Sequence, residues 1–171
     1  MKMSTITIRF MHEKDPPKVA EAFLAQGWNK PAEQYVRYVE EQKLRRRVTL
    51  VAEADGDFAG YVNIIWEPDY PLFKEQGIPE IQDFNVLIRY RRQGIGTLLM
   101  DRVEALIRER CEQAGIRVGL FSDYGPAQAM YVKRGYIPDG RGIYRSGEYM
   151  KYGQQVVVDD DLILALVKSL V

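Results

Sequence analysis

Apolar residues recur along the chain with two different periods, and each period predicts a different element. Alternating runs such as TITIRFM (5–11) predict strands, whereas apolar positions three or four residues apart predict helices. Asp55-Gly56 lies between two β-rich runs over 48–67 and is a strong hairpin signal. The predicted strands are 5–11, the two arms of 48–67, 80–88, 116–123 and two closing strands, one within 142–153 and one at about 162–170, the last of which is short enough to be a helix instead. The predicted helices are 15–27, 30–47, 95–115 and 125–135, with a loop at 68–79.

The order of these elements predicts an α/β (α+β) fold. A strand-helix-strand unit over 80–123 should form a right-handed parallel crossover at the centre of a mixed sheet. The chain has 171 residues and contains no repeat or convincing linker, so residues 1–171 are predicted to form one domain.

Composition narrows the class of protein. Acidic and basic residues balance at 24 each, which argues against a nucleic-acid-binding protein or a partner of anionic membranes. No apolar run approaches the roughly 20 residues of a membrane helix, and the N-terminus lacks the features of a signal peptide. The single cysteine, Cys111, forms no internal disulfide and no metal cluster. We expect a cytoplasmic protein that binds no metal, no nucleic acid and no membrane.

Arginines and glycines crowd the point where the central helix is predicted to begin. Arg89, Arg91 and Arg92 precede Gly94 and Gly96, and no acidic residue occupies 89–100. A helix N-terminus offers unpaired N–H groups and a partial positive charge, so this pattern predicts a phosphate or pyrophosphate site. The segment lacks the Lys-Ser/Thr of a Walker loop and the third glycine of a dinucleotide fingerprint. The alternative is a glycine hinge with solvated arginines.

Two motifs carry a family resemblance. Residues 91–96, RRQGIG, directly follow a predicted strand and resemble the acyl-CoA-binding motif of the GNAT superfamily of N-acetyltransferases. The segment AQAMYVKRGYIPDG (127–140) is similar to the second signature of that family, through Ala127, Tyr131, Gly135 and Tyr136. The motifs occur in the expected order and separation, and the resemblance covers nearly the whole chain. It implies a single-domain GNAT fold, with a mixed central sheet and helices on both faces.

The resemblance also implies acetyl-CoA as a co-substrate. Backbone N–H groups from about Arg92 to Thr97 would hold its pyrophosphate, and the end of the central strand would pair with its pantetheine arm. A backbone N–H near Val86 or Leu87 would polarise the thioester carbonyl. The implied donor-binding residues are Asn85, Val86, Leu87, Arg91, Arg92, Gln93, Gly94, Ile95, Gly96 and Thr97.

The implied reaction is direct attack of a primary amine on the thioester, which needs a base and an acid. Tyr131 matches the tyrosine that serves many family members as general acid; the alternative is a core tyrosine tethered by its hydroxyl. Glu80 and Asp83 are the candidate bases, or else structural carboxylates. On a regular strand these two residues face opposite sides, and Asp83 shares its side with Asn85 and Leu87.

The acceptor is predicted only as a primary amine of a small molecule or peptide. Aromatic residues that suit a cationic amine, or simply a core, are Trp28, Trp66, Tyr70 and Phe73. His12, the one histidine, is predicted to be a surface residue. The family often forms homodimers through sheet edges or C-terminal strands, and the apolar run LILALV (162–167) suits such an edge. The alternative function is a non-catalytic acyl-CoA-binding or regulatory module on the same fold.

Overall fold

The computed structural model describes residues 4–171 and divides into two compact units. The first unit comprises the chain up to Trp66 together with Ile81–Leu106, and the second comprises Glu67–Glu80 and Ile107–Val171.

The first unit contains four strands and most of three helices. Its strands follow the order β1-β2-β3-β4, and the β1-β2 and β2-β3 pairs are antiparallel. The elements are β1 (Ile6–Phe10), α1 (Asp15–Ala25), α2 (Ala32–Lys43), β2 (Arg47–Ala54), β3 (Asp57–Ile65), β4 (Glu80–Val86) and α4 (Ile95–Arg108). Each of these elements was predicted from the sequence, as was the exposed position of His12.

The hairpin between β2 and β3 forms where the sequence predicts it. Asp55 and Gly56 have φ angles of 52° and 90°, and Ala54 pairs with Asp57 across the turn. Two consecutive left-handed residues are what a two-residue type I′ turn requires, and aspartate and glycine adopt that conformation at little cost.

An aromatic core holds α1 and α2 against this part of the sheet. Phe23 and Tyr35, one from each helix, are fully buried and pack edge-on against Tyr61 of β3, with ring centroids 5.9 and 5.4 Å away. The buried members of this core are Met11, Val19, Phe23, Tyr35, Val39, Val51, Tyr61 and Leu87. Burial of several large aromatic side chains is the main source of stability for this layer.

The second unit contains four strands and two short helices. Its strands follow the order β5-β8-β6-β7, with antiparallel pairing throughout. The elements are α3 (Pro71–Gln76), β5 (Gln113–Gly119), α5 (Gly125–Lys133), β6 (Ile137–Arg145), β7 (Glu148–Tyr149) and β8 (Ile163–Ser169).

The structure differs from the predicted elements at the 68–79 loop, at the end of the long helix and at the C-terminal strand. The predicted loop at 68–79 contains a short helix, α3, and the long helix ends at Arg108 instead of Gly115. Gly115 lies within β5, where a Cβ would come 2.5 Å from the Phe73 ring, so this packing requires glycine. The C-terminal strand β8 pairs with both β5 and β6. The prediction that 162–167 lies at a sheet edge is therefore wrong, whereas the formation of a homodimer stays a prediction.

The chain is a mixed α/β protein, as the sequence predicts, and residues 4–171 contain eight strands and five α-helices. Within residues 4–171, no helix is both long and apolar enough to cross a membrane. The assignment of 1–171 to one domain stays a prediction.

Candidate active site

Strand β4 carries a residue with an unusual backbone conformation. Asp83 has a φ angle of 51°, in the left-handed region that residues other than glycine seldom adopt. Such a conformation costs on the order of 1–3 kcal/mol and persists only where surrounding contacts enforce it. It also interrupts the regular alternation of side chains along β4, on which the prediction of opposite faces for Glu80 and Asp83 depends.

Two tyrosines and a glutamine bind one oxygen of the Asp83 carboxylate. Tyr61 and Tyr38 donate hydroxyl hydrogen bonds to Oδ2 over 2.6 and 2.7 Å, and Gln34 Nε2 donates over 3.3 Å. Burial, followed by the charge of Asp83, raises the pKa of both tyrosines. Their hydroxyls therefore remain protonated and continue to donate to the carboxylate.

The second oxygen of Asp83 faces an amide and an ammonium group. Asn85 Nδ2 donates to Oδ1 over 2.9 Å, and Lys30 Nζ lies 3.5 Å from the same atom. The side chains of Asp83 and Asn85 are therefore in direct contact. Lys30 Nζ also donates to the Tyr61 hydroxyl over 3.2 Å. The Asp83 side chain is 22% exposed, so this polar cluster lies at an accessible part of the first unit.

Glu80 has a different environment and belongs to the second unit. Arg117 binds its carboxylate with two hydrogen bonds of 2.6 and 3.0 Å, and the Glu80 side chain is only 2% exposed. Burial of Arg117 alone would lower its pKa, but the ion pair with Glu80 outweighs that effect, and the pKa is raised. The Arg117 guanidinium also lies over the Tyr70 ring, 5.9 Å from its centroid. This geometry gives Glu80 a structural role; its predicted role as a base stays a prediction.

The segment between β4 and α4 exposes the predicted anion site. Arg92 and Gly94 both have left-handed φ angles, of 62° and 81°, and α4 begins at the next residue, Ile95. Alternation of such conformations turns successive N–H groups toward one side, as in anion-binding nests. The first turn of α4 contains no acidic residue. Positive charge, free space and helix polarity therefore coincide here.

Two side chains of this segment are anchored to its own backbone. Arg91 Nε donates to the Val86 carbonyl over 3.1 Å, and its guanidinium lies 5.6 Å from the centre of the Trp28 ring. Gln93 Nε2 donates to the Arg89 carbonyl over 3.0 Å. Arg91, Arg92, Gln93, Gly94 and Thr97 are exposed, whereas Ile95 is buried beneath them.

The two glycines of the motif serve different purposes. A Cβ at Gly94 would meet nothing within 4 Å, so the requirement there is the left-handed φ, and the space beside it is open. A Cβ at Gly96 would lie 3.1 Å from Phe84 Cζ, so the requirement there is close packing on the β4 side chain. Gly94 therefore shapes an open site, and Gly96 lets α4 approach the strand.

A third glycine, Gly60 in β3, was not singled out from the sequence. A Cβ at Gly60 would lie 2.5 Å from the Asn85 carbonyl oxygen and 3.1 Å from Val86 Cα. Because glycine has no Cβ, β3 can approach the end of β4, where the Leu87 N–H donates to the Ala59 carbonyl over 2.9 Å. A glycine inside a predicted strand is a general signal of such close approach.

Tyr131 lies in α5, in the second unit. Its side chain is buried, with 5% of the residue exposed, and its ring packs edge-on against Tyr136 with centroids 6.1 Å apart. Burial, followed by the neighbouring Tyr124, raises the pKa of Tyr131. The group is therefore a phenol over the physiological pH range, as a proton donor must be. The same geometry is compatible with a core tyrosine, and its catalytic role stays a prediction.

The aromatic candidates for acceptor binding differ in how deeply they are buried. Trp28 is half-buried in the first unit and stacks on Phe23, with centroids 6.0 Å apart. Trp66 is also half-buried. Tyr70 and Phe73 are fully buried in the core of the second unit, which favours their alternative interpretation as core residues.

The sequence analysis missed the partners of Asp83. Gln34 and Tyr38 lie four residues apart on a predicted helix, so their shared face could have been read from spacing; Gln34 Nε2 donates to the Tyr38 hydroxyl over 2.8 Å. Lys30 and Tyr61 gave no such signal, because their contacts join segments that are far apart in the sequence.

Several solved structures share this fold over almost the full length of both chains. A proposed GNAT acetyltransferase from Desulfovibrio desulfuricans is 16% identical, with 98% of this chain and 100% of that chain covered, at a TM-score of 0.72. The proposed acetyltransferase yncA from Salmonella typhimurium, solved with its cofactor acetyl-CoA, is 16% identical, with coverages of 96% and 94% and a TM-score of 0.69. The ribosomal-protein-alanine N-acetyltransferase from Brucella melitensis is 20% identical, with coverages of 95% and 99% and a TM-score of 0.69.

At these identities, the structural neighbours establish the fold alone. No curated protein matches the sequence significantly. The model of the acetyltransferase (GNAT) family, however, matches residues 11–136, which is well over half of the chain and includes both α4 and the Tyr131 segment. The chain belongs to the GNAT family of acetyltransferases.

Proposed function

We propose that this protein is an N-acetyltransferase that transfers the acetyl group of acetyl-CoA to a primary amine by direct attack. The observation that carries the proposal is the start of α4. Left-handed backbone at Arg92 and Gly94, open space beside Gly94 and the absence of acidic residues from the first turn suit the pyrophosphate of the donor.

The proposed donor site uses this chain's backbone more than its side chains. N–H groups from Arg92 to Thr97 would hold the pyrophosphate, with Arg91, Arg92 and Gln93 at its rim. Asn85, Val86 and Leu87 would line the pantetheine arm. Because the Leu87 N–H already donates to the Ala59 carbonyl, we assign polarisation of the thioester carbonyl to the N–H of Val86.

The reaction requires one group to accept a proton and another to donate one. A free alkyl ammonium has a pKa of about 10.4, so a base must remove a proton before attack, and an acid assists the departing thiolate. We assign the acid to Tyr131, whose raised pKa keeps it protonated. Of the two candidate bases we favour Asp83, because its carboxylate is accessible whereas that of Glu80 is buried against Arg117. Direct transfer between the two bound substrates needs no covalent enzyme intermediate.

The acceptor is proposed as a primary amine of a small molecule or of an exposed peptide. The structural neighbour from Brucella melitensis is named as an N-acetyltransferase of a ribosomal-protein alanine, which makes a peptide α-amine a sensible member of a test panel. We further propose that the enzyme works in the cytoplasm, as a possible homodimer and without a metal, a nucleic acid or a membrane as partner.

The decisive experiment is isothermal titration of the purified protein with acetyl-CoA. We expect saturable binding by the wild type and at least about tenfold weaker binding by Gly94→Glu, because the new carboxylate occupies the open space and repels the pyrophosphate. Gly153→Glu is the matched control, since Gly153 also has a left-handed φ (78° against 81°) and open space around it. Failure of the folded wild type to bind would refute the proposed donor site.

A further inference from the structure

Lys30 occupies an environment that suits a bound amine. Its ammonium lies 5.1 Å from the centre of the Phe23 ring and 5.7 Å from that of Tyr61. It also donates to the Tyr61 hydroxyl over 3.2 Å and lies 3.5 Å from Asp83 Oδ1. Aromatic faces with a carboxylate are the groups that proteins use to recognise alkylammonium ligands. Here a side chain of the protein itself fills that environment.

This amine is held beside the strand that the proposed function assigns to the donor. Asp83, its ion-pair partner, is two residues from Asn85, and Asn85 Nδ2 binds the same carboxylate oxygen that faces Lys30. These contacts hold Asp83 in its left-handed backbone conformation. Lys30 follows α1 and directly precedes Pro31, so its backbone is also restricted at this position.

We propose that Lys30 is a modification site at which the protein acetylates itself, with acetyl-CoA as the acyl donor. The inference rests on the proposed function, since it requires acetyl-CoA to bind along Asn85–Leu87. It assigns a second acceptor, part of this chain, to the same chemistry. The physical basis is proximity, because a primary amine held next to an acyl donor reacts far faster than one that must collide with it.

The reaction is balanced without any further reagent. The Lys30 ammonium first loses a proton to solvent by way of the Asp83 carboxylate. The Nζ lone pair then attacks the thioester carbonyl carbon, a C–N bond forms, and the C–S bond breaks with its electron pair on sulfur. A second proton passes from nitrogen to the thiolate. The products are Nε-acetyl-Lys30 and the free thiol of CoA.

Acetylation would change the charge of the site. The amide nitrogen of acetyl-Lys30 is neutral, so the positive charge that lies 3.5 Å from Asp83 Oδ1 would be lost. The Asp83 carboxylate would then attract an external ammonium more strongly than before. Self-acetylation would in this way favour cationic acceptors.

The test is to incubate the purified, full-length protein with acetyl-CoA labelled with ¹³C in its acetyl group. Quantitative mass spectrometry of a chymotryptic digest then gives the initial rate of labelling at each lysine. Lys43 is the internal comparison, because it also pairs with a carboxylate, that of Glu13, but its side chain is 60% exposed against 23% for Lys30. Uncatalysed acetylation favours exposed amines, so it predicts faster labelling of Lys43.

We expect labelling at Lys30 to be at least about tenfold faster than at Lys43. Gly94→Glu should reduce the rate at Lys30 to or below that at Lys43, while the rate at Lys43 stays unchanged. Lys30→Arg should abolish labelling at position 30 yet still bind acetyl-CoA in a titration, which shows that the variant is folded.

Equal or slower labelling of Lys30 in a protein that binds acetyl-CoA would overturn the inference and leave the proposed function intact. A folded protein that does not bind acetyl-CoA would overturn both. The binding titration therefore separates the two failures.

Discussion

The Tyr61 hydroxyl and Oδ2 of Asp83 are joined by a hydrogen bond of 2.6 Å that connects strands β3 and β4. Tyr61 directly follows Gly60, whose missing side chain lets the two strands approach. The left-handed backbone of Asp83 is thus held from the neighbouring strand. This pair therefore combines close packing of two strands, a strained backbone and a carboxylate that is partly exposed to solvent.

Removal of the Tyr61 hydroxyl should destabilise the protein measurably. We expect Tyr61→Phe to lower the free energy of unfolding by about 1.5–3 kcal/mol, because the lost bond is a charge-assisted one to a partly buried carboxylate. Tyr152→Phe is the matched control, since its side chain is fully exposed, and it should change stability by less than about 0.5 kcal/mol. Urea unfolding measures both variants; equal effects would show that the Asp83 contact contributes nothing.

A catalytic Tyr131 predicts a loss of rate without a loss of binding. We expect Tyr131→Phe to reduce the rate of thiol release by about 10²-fold, a typical contribution of one general acid. The affinity for acetyl-CoA should change less than about threefold, because phenylalanine preserves the buried ring. Stopped-flow or endpoint thiol detection gives the rate, and titration gives the affinity. Unchanged thiol release would favour the non-catalytic acyl-CoA-binding module, with Tyr131 as a core residue.

The elements that the sequence predicted well are those with strong local signals. The Asp55-Gly56 turn, the amphipathic stripe of α4 and the glycine-arginine segment at 91–96 each carry their information in consecutive residues. Local rules therefore suffice for the order of these elements, and the assignment of 91–96 to the donor site stays a prediction.

What the sequence did not predict depends on contacts between distant residues. Gly115 reads as a helix terminator by local rules, but it lies in β5, where it packs closely against the Phe73 ring, 42 residues away in the chain. Lys30 and Tyr61 likewise gain their significance only through Asp83. The positive φ of Asp83 breaks the strand alternation from which side-chain directions were counted. The spacing of apolar residues along the chain does not report contacts between distant residues or the backbone conformation of a single residue.

The contact between Gly115 and Phe73 gives a prediction about packing in the second unit. Gly115→Ala would place a Cβ 2.5 Å from Phe73 Cζ and 2.6 Å from Cε2, so we expect a loss of about 1–3 kcal/mol through overpacking. In a Phe73→Leu background the same substitution should be less destabilising by about 1 kcal/mol or more, since the ring is gone.

The control for the Gly115→Ala and Phe73→Leu variants is Gly125→Ala at the start of α5. Gly125 has a helical φ of −50°, and a Cβ there would meet nothing within 4 Å. Alanine should therefore be neutral or slightly stabilising at that position. If Gly115→Ala is no more destabilising than this control, the contact with Phe73 does not require glycine at position 115.

Asp15 should make the stability of the protein depend on acid pH. Burial favours the neutral carboxyl, but hydrogen bonds from Arg9, of 2.7 and 2.9 Å, and from the His12 N–H, of 2.6 Å, outweigh it, and the pKa of Asp15 is lowered. A lowered folded-state pKa stabilises the folded protein fully above the unfolded-state value of about 3.9 and progressively less as pH falls through the folded-state value. Asp15→Asn should therefore destabilise the protein at pH 7 and by a smaller amount near pH 3. Urea unfolding of both proteins across this range measures the difference; a difference that stays constant with pH would mean that the Arg9 ion pair does not contribute to stability through the charge of Asp15.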